Sequence, residues 1–257
     1  MKFARCFRAE CLKLLTRPSI SLTVLGVLTA GIALTWFETP VVLQMLLSKN
    51  PDLAPGASLE NMGFDMVSAC QLGMVAAGAM AASGEYREGG LRTSLLATPS
   101  RAALLTAQAA ALALFSLVAA TVSVVAISSV AQLRLGSYSL LASGIPSDLA
   151  RDWAGAVLFW VASSLITFFL THVFRSVVAP LFVMVCLSLS IYTALSLTAF
   201  ARFLPTTAGI LLFDPLSITA SYPEAALSRT QAALVVAAWV LAAGCLSAAL
   251  FVRRPGK

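Results

Sequence analysis

Residues 84–101 read GEYREGGLRTSLLATPSR, the most polar stretch between two long apolar runs. Glu85, Arg87, Glu88, Arg92 and Arg101 all fall within these 18 residues. On either side the chain stays apolar over the ~20 residues that a helix needs to cross ~30 Å of hydrocarbon. A polar stretch between two such runs is a loop at a membrane surface. The whole chain of 257 residues agrees, with 59% apolar and 11% charged residues and a mean hydropathy of +0.90. A soluble domain carries about 25% charged residues, and a globule of this composition in water has too little interior to hide its apolar side chains. The expected class is an all-α integral membrane protein.

Apolar runs at about 19–37, 66–83, 102–131, 153–173, 176–199 and 231–252 predict six transmembrane helices in a single transmembrane domain, 1–257. The third run is long enough to require tilt or projection beyond the lipid. The fourth and fifth are separated only by a tight turn near Phe174–Arg175. In the second run Gly73, Ala77, Ala81 and Gly84 recur at helical spacing, which lets helix backbones approach closely. With the N-terminus inside, only Lys49, Arg134, Arg151, Arg202 and Arg229 of the 17 basic residues lie outside. That bias places both termini and residues 84–101 in the cytoplasm, and loops 38–65, 132–152 and 200–230 outside. Trp36 and Trp153 are then expected at the outer interface.

Residues 2–17, KFARCFRAECLKLLTR, form a basic amphipathic helix at 100° per residue. Phe3, Ala4, Phe7, Cys11, Leu14 and Leu15 share one arc; Lys2, Arg5, Arg8, Lys13 and Thr16 oppose it. Such a helix lies on a membrane surface with its cations on lipid headgroups; a plain charged leader and a cleaved signal are the alternatives. Arg17-Pro18 breaks it and starts the next helix. The loop 200–230 carries the short apolar piece Ala208–Phe213 between Pro205 and Pro215. It reads as a re-entrant element, against an apolar loop lying flat on the interface.

The chain offers little for chemistry. Its five cysteines are scattered without a CxxC, so neither a disulfide framework nor a metal site is expected. The single histidine, His172, is expected at the interface; Ser83 lacks the G-x-S-G loop that would make it a nucleophile. No phosphate-cradling G-x-x-x-x-G-K-[ST] occurs. No Asp, Glu, Lys or Arg falls in the centre of a run; Asp65 and Arg175 only edge them. Ion-coupled carriers need a titratable partner there, and no broken helices of the symporter kind are expected. Hydroxyls such as Ser116 and Ser128 are expected mainly in helix–helix hydrogen bonds. No catalytic residue, metal or cofactor is assigned, and no nucleic-acid partner. Energy for any transport must arrive from another subunit.

Within residues 84–101, Gly89-Gly90 frees the backbone for a turn, Leu91, Leu95 and Leu96 give a short helix one apolar face flanked by Arg92, and Pro99 ends it. About two turns are unstable alone in water, so the helix must dock on this protein or a partner; an ordinary solvated loop is the alternative. Here the chain resembles the membrane subunits of type 2 ATP-binding-cassette exporters. The resemblance rests on RAECLKLLTRPS before the first span, on residues 84–101, on LPTTAG before the last span and on Arg253-Arg254 after it. The family's loop opens with a Glu-aromatic-x-x-Gly-Thr pattern; Glu85, Tyr86 and Gly89 match, while Gly90 stands where threonine is usual.

The resemblance implies that residues 85–99, with Glu85, Tyr86, Arg87, Glu88, Gly89, Leu91, Arg92, Leu95 and Leu96, form a coupling helix inserted into an ATPase subunit. Arg5, Arg8, Glu10 and Lys13 would belong to the connecting (elbow) helix. Leu204, Pro205 and Gly209 would gate the extracellular exit within a re-entrant element at 203–222. It further implies two ATPase subunits holding ATP and magnesium, a second permease copy (identical or a close paralogue), membrane lipid, and a multi-pass place in a bacterial cytoplasmic membrane. The cargo would be a hydrophobic or amphipathic drug, lipid or peptide. A non-transporting scaffold or toxin-immunity protein is the alternative.

Overall fold

The computed structural model describes residues 2–86 and 100–253. Among them the chain forms ten α-helices: α1 (Lys2–Thr16), α2 (Pro18–Leu47), α3 (Phe64–Ser83), α4 (Arg101–Arg134), α5 (Ser147–Phe174), α6 (Val178–Leu189), α7 (Ile191–Leu197), α8 (Pro205–Leu211), α9 (Pro215–Thr219) and α10 (Arg229–Arg253). Five of these, α2, α3, α4, α5 and α10, are long and apolar enough to cross a membrane. The sixth crossing exists only as the pair α6–α7, bent by 65°. The protein is therefore all-helical with five spans or six, in agreement with the apolar runs, while the helix ends run past them. α2 continues to Leu47, carrying Glu38 and Pro40 within the helix, and α4 reaches Arg134.

The bundle has two ends. One holds α1, the end of α3, the start of α4, the α5–α6 turn and the end of α10; the other holds residues 48–63, 135–146 and 198–228. α3 and α5 form the centre, and α2 and α10 lie at the rim. Close approach at the centre depends on Gly78: a methyl group there would sit 2.2 Å from the Ser164 carbonyl oxygen. Gly73 meets Val27 of α2 and Gly84 lies under the Arg17 guanidinium, so the predicted small-residue face serves α2 and Arg17, while Gly78 admits α5. Polar pairs stitch the helices where no water reaches. Gln71 Nε2 donates to Ser163 Oγ at 2.7 Å, Ser116 to Ser164 at 3.0 Å, and Trp160 Nε1 to the Val67 carbonyl at 3.1 Å. Trp153, expected at the interface, turns inward and donates to Ser128 Oγ at 2.9 Å. Trp36 remains exposed.

Two backbone interruptions are closed by side chains from other elements. Pro40 has no N–H for the Trp36 carbonyl four residues back. Arg134 Nε donates to that oxygen at 3.2 Å, its guanidinium 4.3 Å from the Trp36 ring centre. The fifth apolar run reads as one helix in the sequence; instead the chain breaks at Ser190. In a continuous helix the Leu187 carbonyl would accept from Ile191; here the Thr206 hydroxyl donates to it at 3.1 Å. Backbone carbonyls at membrane depth need such partners. The twelve residues of α6 span only about 18 Å at 1.5 Å per residue.

α8 fills the space above. It is buried almost throughout, Gly209 lies against the Phe159 ring, and Gly155 of α5 meets the Leu212 carbonyl. Phe213 packs on Phe64 and Phe159 with ring centres 5.5 and 6.0 Å apart. Asn61 Nδ2 donates to Asp214 Oδ1 at 3.0 Å, and burial pushes the Asp214 carboxyl up to about 6 against that bond.

Replacing Gly78 by valine forces the α3–α5 crossing apart and is expected to cost about 1–3 kcal/mol. Gly26→Ala points into open space and is expected to be neutral. Thermal unfolding of the purified variants in detergent separates the two; equal melting temperatures would refute the close crossing.

Candidate functional site

The densest polar cluster at the terminal end of the bundle joins α1 to the first residues of the 84–101 loop. Lys13 Nζ lies 2.7 Å from Glu10 Oε1 and 3.4 Å from Glu85 Oε1. Glu10 is one turn before Lys13 on α1, so helix geometry alone sets that pair. Glu85 comes from a turn after α3, 72 residues away, and only 3% of it is exposed. Burial pulls the Lys13 ammonium down, but Glu10 and Glu85 outweigh it and hold it above the ordinary lysine value. Lys13, expected on the polar face of the amphipathic helix, thus turns to the protein together with Glu10. Phe3, Leu12 and Leu15 are exposed, as are Arg5 and Arg8.

Arg17 closes the same corner. Its Nη1 donates to the Ala81 carbonyl at 3.2 Å, and its guanidinium lies over Gly84, where any side chain would collide with it. The next residue ties the loop to a second helix: the Tyr86 hydroxyl and His172 Nδ1 are 2.7 Å apart. His172, expected at the interface, is 2% exposed and sits edge-on to Tyr86, Phe168 and Phe251. The far side of the loop is held too. Ser100 caps α4 by accepting from the Ala103 N–H at 3.3 Å, and Arg101 Nη1 donates to the Phe251 carbonyl at 3.0 Å.

The structure therefore brings Glu85 and Tyr86 together with Glu10 and Lys13. Arg87, Glu88, Gly89, Leu91, Arg92, Leu95 and Leu96 lie outside the described residues, as do Arg254 and Lys257. Leu204, Pro205 and Gly209 are at the other end, where Pro205 opens α8 and Leu204 precedes it. His172 and Arg17 were missed as partners of the loop, because their contacts span 86 and 64 residues and leave no local pattern. Among the described residues no group of three or more His, Cys, Asp or Glu side chains is placed to hold a metal. What the cluster does structurally is tie the loop entry to α1 through Lys13 and to α5 through His172.

Lys13→Met leaves the buried Glu85 without its cation, an expected loss of about 1–3 kcal/mol at neutral pH. The Lys13 value is raised on folding, so its contribution is full below about pH 10 and is lost as pH climbs past the raised value. Wild type and variant should differ in thermal stability at pH 7 and converge as the pH climbs past the raised Lys13 value. A constant difference, or none, would refute the buried ion pair.

Residues 6–192 match the family described as ABC-2 family transporter protein. No curated protein matches the chain. The matched region runs from α1, through the spans α2 to α5 and the loop between α3 and α4, into α7, and on that match the chain belongs to the ABC-2 family of transporter proteins.

Proposed function

We propose that this chain is the permease half of an ATP-driven exporter, and that residues 84–101 are the coupling loop through which a separate ATPase drives it. The observation that carries the reading is the double attachment of Glu85 and Tyr86. Lys13 ties the loop entry to α1, and His172 ties it to α5. A push on residues 87–99 reaches both helices at once and reaches α10 through Arg101 and the Phe251 carbonyl. α5 runs the length of the bundle to α8, where Phe159 touches Gly209. A shift of α5 is thereby felt by Leu204, Pro205 and Gly209, which act as the exit gate.

In this reading α1 is the elbow helix on the cytoplasmic surface, and both termini are cytoplasmic. The protein is a multi-pass component of a bacterial cytoplasmic membrane. ATP and magnesium bind the partner subunits, two per assembly, and this chain binds no nucleotide of its own. Five spans and one broken one are too few to enclose a path for a bulky amphipath, so a second permease copy completes it. The apolar spans suit a hydrophobic or amphipathic cargo: a drug, a lipid or a peptide.

The test is reconstitution with a candidate ATPase subunit, sought first in the reading frames that neighbour this chain's own. Leu95→Asp is expected to lower recovery of the ATPase at least about tenfold, the effect of ~1.4 kcal/mol of lost docking, with membrane insertion unchanged. Recovery of no ATPase by the wild-type chain, and ATP turnover indifferent to Leu95→Asp, would instead favour a non-transporting scaffold or immunity role.

A further inference from the structure

A cavity of about 440 Å³ opens between the end of α3 and the α5–α6 turn. Ser83, Tyr86, Thr171, Arg175, Ser176 and Val177 are among the residues that line it. Among the described residues that line it, Arg175 is the charged one. It is exposed, and among the described residues it pairs with no carboxylate. The two described acids at this end of the bundle, Glu10 and Glu85, are both held by Lys13. The hydroxyls of Ser83 and Thr171 donate to the carbonyls of Met80 and Thr167 and are spent. The backbone N–H groups of Ser176 and Val177 have no acceptor among the described residues. Among the described residues the free donors of the cavity are therefore the Arg175 guanidinium, the Ser176 hydroxyl and the two neighbouring backbone N–H groups, and no described carboxylate balances them.

The position of Arg175 adds to this. It terminates α5 at φ 53°, ψ 29°, a left-handed cap donating to the Thr171 carbonyl at 2.8 Å. Glycine or asparagine is the favoured residue there, and a side chain such as arginine is disfavoured. Arginine is thus present for its side chain, not for the turn. We infer that this cavity binds a phosphate-bearing anion: several donors arriving from different directions fit a tetrahedral oxyanion, and a planar fork grips two of its oxygens. The cavity lies where the apolar spans α3 and α5 end, and borders Tyr86, so its occupant sits against the loop entry. The inference does not depend on an ATPase partner.

The test uses the full-length chain, purified and delipidated in detergent, with bound ligand counted by native mass spectrometry and stability followed by thermal shift. The probes are phosphatidylglycerol, phosphatidylcholine and inorganic phosphate. Wild type should retain one phosphatidylglycerol per chain in preference to phosphatidylcholine. Arg175→Asn, which fits the left-handed cap and so folds, should weaken that binding about tenfold, the loss of one charge-assisted hydrogen bond. Arg175→Lys, which keeps the charge without the fork, should restore only part of it. Stabilisation by inorganic phosphate alone, lost in Arg175→Asn, would assign a soluble phosphate compound in place of a lipid and still support the site. Equal binding of every probe by wild type and Arg175→Asn would overturn it.

Discussion

A carboxylate shut away from both water and lipid must be met by a cation, and Glu85 is such a carboxylate. Lys13 meets it, with Glu10 as the third member. That requirement fixes the rotation of α1: Glu10, Lys13 and Leu14 turn toward the bundle, and Phe3, Leu12 and Leu15 turn away. It also delivers Arg17 to the carbonyl of Ala81 and the open face of Gly84. A buried pair of this kind adds little net stability over apolar packing; its worth lies in specifying one register. Here the register set is that of a surface helix against the entry of a loop.

The remainder of the bundle obeys the same rule for backbone groups. Pro40 in α2 and the break at Ser190 each release a carbonyl, and each released carbonyl is claimed from elsewhere, by Arg134 and by Thr206. The second repair has a structural consequence. It holds α8 beside the end of α6, so the bend and the short buried helix that completes the crossing form one unit. Gly209 and Gly155, both without side chains at the contact with α5, let that unit sit close.

Much of this was legible in the sequence. Apolar length alone located five spans, and the 100° arc in residues 2–17 located α1. The break at Ser190 was not legible, because LSLSIYTAL at 187–195 holds no glycine or proline; the carbonyl it releases, that of Leu187, finds its donor in a hydroxyl 19 residues away. Periodicity also misjudged Lys13. It separates charged from apolar residues, and does not distinguish a charge facing water from one facing a buried partner 72 residues away. The partners of His172 were hidden for the same reason: its environment is made by Tyr86, Phe168 and Phe251, of which only Phe168 is a sequence neighbour. The family resemblance, by contrast, rested on the order of segments along the chain, which a linear reading retains.

The mechanical link between α1 and the loop is tested most directly by reversing its charges. Lys13→Glu, Glu85→Lys and the double variant are to be compared for coupling, measured as ATP turnover by the reconstituted partner that responds to cargo. Each single reversal places like charges in contact and should abolish the response. The double variant again sets one lysine between two glutamates, Glu10 included, and should recover it. If the double variant is as uncoupled as the singles, or the singles respond like wild type, the loop is not driven through Lys13.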